Sequence, residues 1–259
     1  MAFMKGTLIT TTLTMILAGA AFAQPGATVF SAAGENADAI RGAVDAFRNA
    51  LGPVNAPGPD GNPEGRREIN WDGVPQQFSS PNQFPGDFFN KNSVRGVVFT
   101  VNTPGWNGFQ VSANDGDGPV RFDNLYEGNS QVFKTFSAQK LFTSTGTHAY
   151  DVDFKVPGTE LQASSRGFGA VFTNVAIPFT TTLEFYSVDG VLLGRYSAPV
   201  AAKGLSFVGV AYPSKMVSRV RVIPGTAALG TPDDPANGVN VVALDDFIYG
   251  EPSNPCAVR

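Results

Sequence analysis

Hydrophobic and polar residues alternate with a period of two along much of the chain, in short segments separated by Gly, Pro, Asn and Asp. Such alternation is typical of β-strands with one buried face. The predicted strands lie at residues 94–101, 109–111, 120–122, 151–156, 167–175, 183–188, 191–196, 205–212, 217–223 and 239–249. The dipeptide Asp189-Gly190 predicts a two-residue hairpin turn, and residues 109–111 are expected to pair with 94–101. The pattern indicates an all-β fold, an antiparallel jelly-roll β-sandwich.

One segment has helical spacing instead. Ile40, Val44, Phe47 and Leu51 recur at intervals of three and four residues, and Gly52-Pro53 follows them as a stop signal. We therefore predict an amphipathic helix at residues 36–51. It either packs against the edge of the sandwich or docks onto a partner, and its narrow apolar stripe favours packing.

The domain boundaries follow from these elements. Residues 53–65 are rich in Pro, Gly and Asn and are typical of a linker. The prediction is a helix and linker in 24–64, with residues 26–34 loose, then a sandwich in 65–252 and a short tail in 253–259.

The last predicted strand, in the sequence VNVVALDDFIYGEP at 239–252, carries two adjacent carboxylates, Asp245 and Asp246. Strict alternation places Asp245 on the face of Phe247 and Asp246 on the face of Ile248. Both faces are mostly apolar, so at least one carboxylate should be withdrawn from water. The two carboxylates are not expected to share a side, which argues against a paired-carboxylate active site.

A buried carboxylate needs a counter-ion or a metal, because leaving it bare costs several kcal/mol. The first alternative is an ion pair with Arg66 or Arg67, which the supply of arginines in that segment favours. The second is a structural Ca²⁺, whose six to eight oxygen ligands can come from distant strands. In that case Asp245 and Asp246 would be joined by Glu68 and Asn70, and both alternatives stay open.

Composition indicates the compartment. Residues 1–23 have a Lys5 start, a short apolar run and an Ala21-Phe22-Ala23 cleavage pattern, so a secretory signal peptide is predicted. Cys256 is the single cysteine, which excludes an intramolecular disulfide. The net charge of −4 and the lack of a basic cluster argue against a nucleic-acid partner, and no later segment is apolar enough for membrane insertion. We expect a secreted or periplasmic protein.

Five segments together resemble a family of exported bacterial proteins of unknown function. They are GRREINWDGVP at 65–75, RGVVFTV at 95–101, GFGAVFTNV at 167–175, LEFYSVDGVLLG at 183–194 and VVALDDFIYGEP at 241–252. The chain is also similar to the jelly-roll ectodomains that precede a PEP-CTERM sorting tail and to jelly-roll carbohydrate-binding modules. That resemblance implies a calcium ion joining the first and last strands. The chain ends at Arg259 without a sorting tail, which favours free secretion or periplasmic residence.

Candidate ligand-binding residues are aromatic. Trp106 lies in the turn Pro-Gly-Trp-Asn-Gly, where it either stacks on a sugar or folds back over the sandwich end, and folding back is commoner for loop tryptophans. Tyr126 is a second candidate for the same platform. A catalytic triad would have to use His148, the only histidine, and no Gly-x-Ser-x-Gly elbow is present.

These observations favour a secreted, non-catalytic binding module for a glycan or cell-surface polymer, with a structural calcium. A structural envelope or matrix protein that self-associates, through the 36–51 helix or another surface, is the alternative. A hydrolase on a jelly-roll scaffold comes third, because it would need two facing carboxylates in a cleft.

Overall fold

The computed structural model describes residues 26–102 and 104–254, so the predicted signal peptide and Cys256 lie outside the described residues. Twelve strands, three helices and two 3-10 turns form within these ranges. The strands are β1 (Thr28–Gly34), β2 (Arg66–Ile69), β3 (Val97–Thr100), β4 (Gly108–Val111), β5 (Phe142–Thr145), β6 (Tyr150–Phe154), β7 (Gly167–Val175), β8 (Thr182–Tyr186), β9 (Leu192–Ser197), β10 (Ala201–Ala211), β11 (Arg219–Ile223) and β12 (Ala243–Gly250). The helices are α1 (Ala37–Leu51), α2 (Phe88–Lys91) and α3 (Asn129–Val132), and the 3-10 turns are Gln76–Phe78 and Pro235–Asn237.

The strands form two antiparallel sheets packed face to face, which confirms the predicted β-sandwich. In the described part of the chain the first sheet has seven strands in the order β1-β10-β7-β12-β5-β4, and β2 pairs with the second half of β12. The second sheet has five, in the order β3-β6-β11-β8-β9. The closing strand β12 is therefore central and contacts three others: β7, β5 and β2.

The core between the sheets is rich in aromatic side chains. Trp71 stacks on Phe142 at 4.2 Å between ring centroids, and Phe84, Phe89 and Phe247 meet Trp71 edge-on. Aromatic pairs of this kind add to the free energy gained by burying their area. This cluster fixes the segment after β2 against β5 and β12, close to the two aspartates.

Helix α1 covers the outer face of the seven-stranded sheet rather than its edge. Ile40, Val44, Phe47 and Leu51 are fully buried against β7, β10 and β12. The ring of Phe47 approaches the cross-strand pair Gly169 and Gly209 so closely that a Cβ on Gly169 would lie 2.8 Å from it. Two glycines at this point thus let the helix sit directly on the sheet.

The N-terminal segment belongs to the same body as the sandwich. The prediction that residues 26–34 are loose is wrong, because β1 pairs with β10 over its whole length. Main-chain hydrogen bonds to an exposed sheet edge need no particular side chains, so the sequence pattern does not predict them. The predicted linker is also attached: Val54 bridges to Arg66.

Two strand predictions are wrong: residues 109–111 do not pair with 94–101, and residues 120–122 do not form a strand. β4 pairs with β5, which was not predicted, whereas β3 pairs with β6 in the other sheet. Residues 121–125 form turns, with Val120 making only an isolated bridge to Ala113.

Among the described residues, no helix has the length and apolar character required to cross a membrane.

Candidate functional site

The site is created by an irregularity in β12. Leu244 lies opposite Phe172 of β7 and Phe247 lies opposite Ala170, so Asp245 and Asp246 together face a single residue of β7. This is a β-bulge, which interrupts the alternation of side chains and re-aims them. The prediction that the two carboxylates cannot share a side is therefore wrong.

The oxygen atoms of five residues converge around one hydroxyl group. Ser137 Oγ lies 2.7 Å from Asp246 Oδ1, 3.0 Å from Asp245 Oδ1, 3.2 Å from Asp72 Oδ2 and 3.4 Å from the carbonyl oxygen of Asn70. A serine hydroxyl has one hydrogen and can donate it to one acceptor at a time. In the remaining contacts of Ser137 Oγ, two oxygen atoms lie close together without a hydrogen between them and repel each other. A proton or a cation bound among these oxygens would relieve that repulsion. We call these five residues the oxygen cluster.

The loop at residues 136–140 lies on the cluster and is tied to it by backbone amides. The Phe136 amide donates to Asp245 Oδ2 at 2.6 Å. The amides of Gln139 and Lys140 donate to Asp72 Oδ1 at 2.8 and 3.0 Å. One oxygen of Asp245 and one of Asp72 thus fix the loop, while their other oxygens face Ser137.

The β12 pair is withdrawn from water. Asp245 is 0% and Asp246 3% exposed. Burial raises the pKa of Asp245 well above its ordinary value, and the neighbouring Asp246 carboxylate raises it further. Burial also raises the pKa of Asp246, against the opposing effect of its hydrogen bonds and of Arg48. In the absence of a cation, the environment favours a proton on this pair.

The charged groups next to the cluster are arranged differently from the prediction. Arg48 of α1 lies 3.4 Å from Asp246 and 2.9 Å from Glu68, whose other oxygen accepts from Arg66 at 2.6 Å. Glu68 is therefore engaged by two arginines and does not contact Ser137. Asn70 reaches Ser137 through its main-chain carbonyl rather than its side-chain amide.

The second predicted arginine, Arg67, pairs with a different carboxylate. Its guanidinium is fully buried and binds both oxygens of Glu251, at 2.5 and 2.7 Å. It also donates to the carbonyls of Ala56 and Gly58, and Asn55 Nδ2 donates to Glu251 at 2.7 Å. This ion pair, which sequence reasoning did not identify, joins β2 to the residue after β12.

No group of three or more His, Cys, Asp or Glu side chains within residues 26–102 and 104–254 is preassembled around a metal position. Asp72, Asp245 and Asp246 therefore do not surround such a position by themselves, although each has an oxygen within 3.2 Å of Ser137 Oγ. Asp72 and Ser137 were missed by the sequence analysis. Asp72 precedes Gly73, a pair that is typical of an ordinary turn, and nothing in the sequence distinguishes Ser137 from other loop serines.

The candidate ligand-binding aromatics lie on loops. Trp106 is 43% exposed while one side of its ring packs on Phe109 at 5.5 Å between centroids. Tyr126 is 41% exposed. Among the described residues, no ring contact joins the two.

His148 is half-buried, and burial alone lowers its pKa.

No family model matches the chain, and no curated protein or solved structure resembles it significantly.

Proposed function

We propose that this chain is an exported, non-catalytic binding module that carries a glycan or surface polymer on the loop around Trp106. A structural calcium at the oxygen cluster would tie the segment after β2 to β12 and to the loop at residues 136–140. The observation that carries the binding proposal is a large aromatic ring that contacts Phe109 and is still 43% exposed to solvent.

The strand order supports a jelly roll as the scaffold. In the first sheet β2, β12, β7 and β10 are neighbours, and in the second β6, β11, β8 and β9 are neighbours. Read along the chain, successive strands from β6 to β12 alternate between the two sheets except at the hairpin β8–β9. Wrapping a long hairpin around a barrel gives this alternation, and jelly-roll modules present ligands on loops or on one sheet face.

An anchored tryptophan is suited to a sugar ring. Its apolar face stacks against the C–H groups of a pyranose, and its rigid two-torsion side chain loses little conformational entropy on binding. Trp106 is held in place by Phe109, so the free protein already has its ring positioned. Preorganisation of this kind lowers the free-energy cost of binding.

The test is binding to immobilised polysaccharides of varied composition by wild type, Trp106→Ala and Phe179→Ala. Phe179 is a matched control because it is an exposed aromatic, 78% accessible, on a different loop. We expect Trp106→Ala to weaken binding by about tenfold or more, as for a central aromatic contact, and Phe179→Ala to leave it unchanged. Binding that is absent from the whole panel, or equal in the two variants, would refute the proposal.

The calcium proposal rests on the chemistry of the oxygen cluster. Three carboxylates, one carbonyl and one hydroxyl offer hard oxygen donors, which calcium prefers, and water can complete six to eight ligands. Arg48 is the one cation in ion-pair contact with these carboxylates in the described chain, at 3.4 Å from Asp246. A divalent cation would neutralise charge that a single guanidinium leaves uncompensated.

Self-association is the second candidate, and the tip and edge of β9 favour it. Val188, Val191 and Leu192 are 57%, 56% and 42% exposed next to an edge strand of the five-stranded sheet. Exposed edges with apolar side chains are sites of strand pairing. The apolar stripe of α1 is already covered by its own sheet, so the predicted helix route would have to use the polar face. Light scattering that finds a monomer across the accessible concentration range would exclude this candidate.

A further inference from the structure

A cavity of about 260 Å³ opens between the turn that follows β2 and the segment that joins α2 to β3. Its apolar wall includes Val74, Pro75 and Phe88, and its polar wall includes Asn70, Asn92 and Ser93. Asn70 is common to this cavity and to the oxygen cluster, where its main-chain carbonyl faces Ser137. The carboxylates of the cluster and the ring of Trp106 do not line the cavity. Its volume is at the small end of ligand pockets, where a single ring-sized molecule fits.

Arg95 is the one ionisable side chain among the residues lining this cavity. Its Nε donates to the Glu68 carbonyl at 3.1 Å, another nitrogen donates to Ser93 Oγ, and its guanidinium lies 5.3 Å from the centre of the Phe89 ring. These contacts hold the plane of the guanidinium. They use two of its five N–H groups, so donors remain for another partner.

The positive charge of Arg95 is uncompensated by the protein. Throughout residues 26–102 and 104–254, no carboxylate lies within 4.0 Å of its guanidinium, whereas Arg66 and Arg67 beside it on β2 are both paired. Burial lowers the pKa of Arg95, and the nearby Arg67 charge adds to that effect. A partly buried cation without a counter-ion creates a positive potential in the cavity.

We propose that this cavity binds the carboxylate of a small organic acid, with Arg95 as its counter-ion. The planar guanidinium fork matches a carboxylate, which can accept two parallel N–H bonds. The apolar wall at Val74 and Phe88 receives the body of the acid, and the Asn70 amide is placed for a polar substituent. This binding site is independent of the glycan surface proposed above.

The ligand chemistry has two sources that the test must separate, a sugar acid and an aromatic acid. Isothermal titration would use glucuronate and phenylacetate, with glucose and phenylacetamide as neutral counterparts. We expect at least one acid to bind about tenfold or more tightly than its neutral counterpart, because the charge-assisted bonds to Arg95 are lost in the latter. The acid that binds identifies the source.

Substitutions at two positions locate the site. Arg95→Gln should weaken binding of the acid by about 10- to 100-fold. Asn92→Asp places a negative charge at the exposed edge of the cavity and should weaken it by repulsion, while Asn92→Ala should not. Asn92 is exposed, and within residues 26–102 and 104–254 its side chain has no hydrogen-bond partner, so this pair remains informative if Arg95→Gln unfolds. Failure of both acids to bind, or acid binding that is equal in wild type and Asn92→Asp, would overturn the proposal.

Discussion

Replacing Arg67 by Met should be the most destabilising single change in the ion pairs of this protein. The guanidinium is fully buried, and the substitution would leave the Glu251 carboxylate buried with Asn55 as its remaining polar partner. It would also remove the donors to the carbonyls of Ala56 and Gly58. Breaking a buried pair from one side costs about 3–5 kcal/mol, because the remaining charge is uncompensated.

The free energy of unfolding, measured in urea, gives this cost directly when the slope of the transition is unchanged. Arg41→Met is the matched control, since it makes the same substitution in an exposed pair with Asp38 on α1. Exposed pairs of this kind contribute at most about 1 kcal/mol. The double variant Arg67→Met, Glu251→Leu removes both charges and should be more stable than the sum of the single costs implies, by at least about 1 kcal/mol. Equal costs for Arg67→Met and Arg41→Met would refute the reasoning.

Two further predictions follow from the bulge and from the helix contact. In EDTA, the free energy of unfolding should fall as the pH rises from about 4, because Asp245 and Asp246 hold protons more tightly in the folded state than in the unfolded one. Urea midpoints measured from pH 4 to 8 should show this decline in wild type, and Asp245→Asn should flatten it. A wild-type midpoint that rises across that range would contradict the prediction. In thermal unfolding, Gly169→Ala should cost about 1–3 kcal/mol, because the added Cβ would lie 2.8 Å from the ring of Phe47. Gly42→Ala is the control, since it lies on the open side of α1 with nothing within 4 Å of the added Cβ, and it should be neutral or stabilising.

The sequence pattern predicts the strands that are buried on one or both faces. β7 spans the predicted residues 167–175, and the β8–β9 hairpin turns at Asp189-Gly190. In these segments the residues that favour a strand locally are also the residues that pack into the core. β1 was missed because its position depends on the edge of β10 more than on its own side chains. β5 was missed because three of its four residues, Thr143, Ser144 and Thr145, are polar, although the strand is buried between β12 and β4.

The candidate site could be predicted only in part, for a geometric reason. Asp245 and Asp246 stand out because carboxylates in an apolar strand need partners. Their arrangement depends on one extra residue in the β12 ladder, and a pattern of period two contains no sign of that residue. Ser137 is more than one hundred positions away in sequence and reaches the site through a loop. Which arginine pairs with which carboxylate is likewise fixed by the fold, since Arg67 and Arg66 are neighbours in sequence but point to Glu251 and Glu68.

Calcium binding at the oxygen cluster is tested most directly by the thermal unfolding midpoint in EDTA and in excess Ca²⁺. A ligand at about 100 times its Kd stabilises the folded state by about 2.7 kcal/mol, which corresponds to a rise of roughly 5–10 °C for a domain of this size. We predict such a rise for wild type and none for the double variant Asp245→Asn, Asp246→Asn, with magnesium giving a smaller effect than calcium. Identical midpoints for wild type in EDTA and in Ca²⁺ would contradict the assignment and leave the buried pair to its proton.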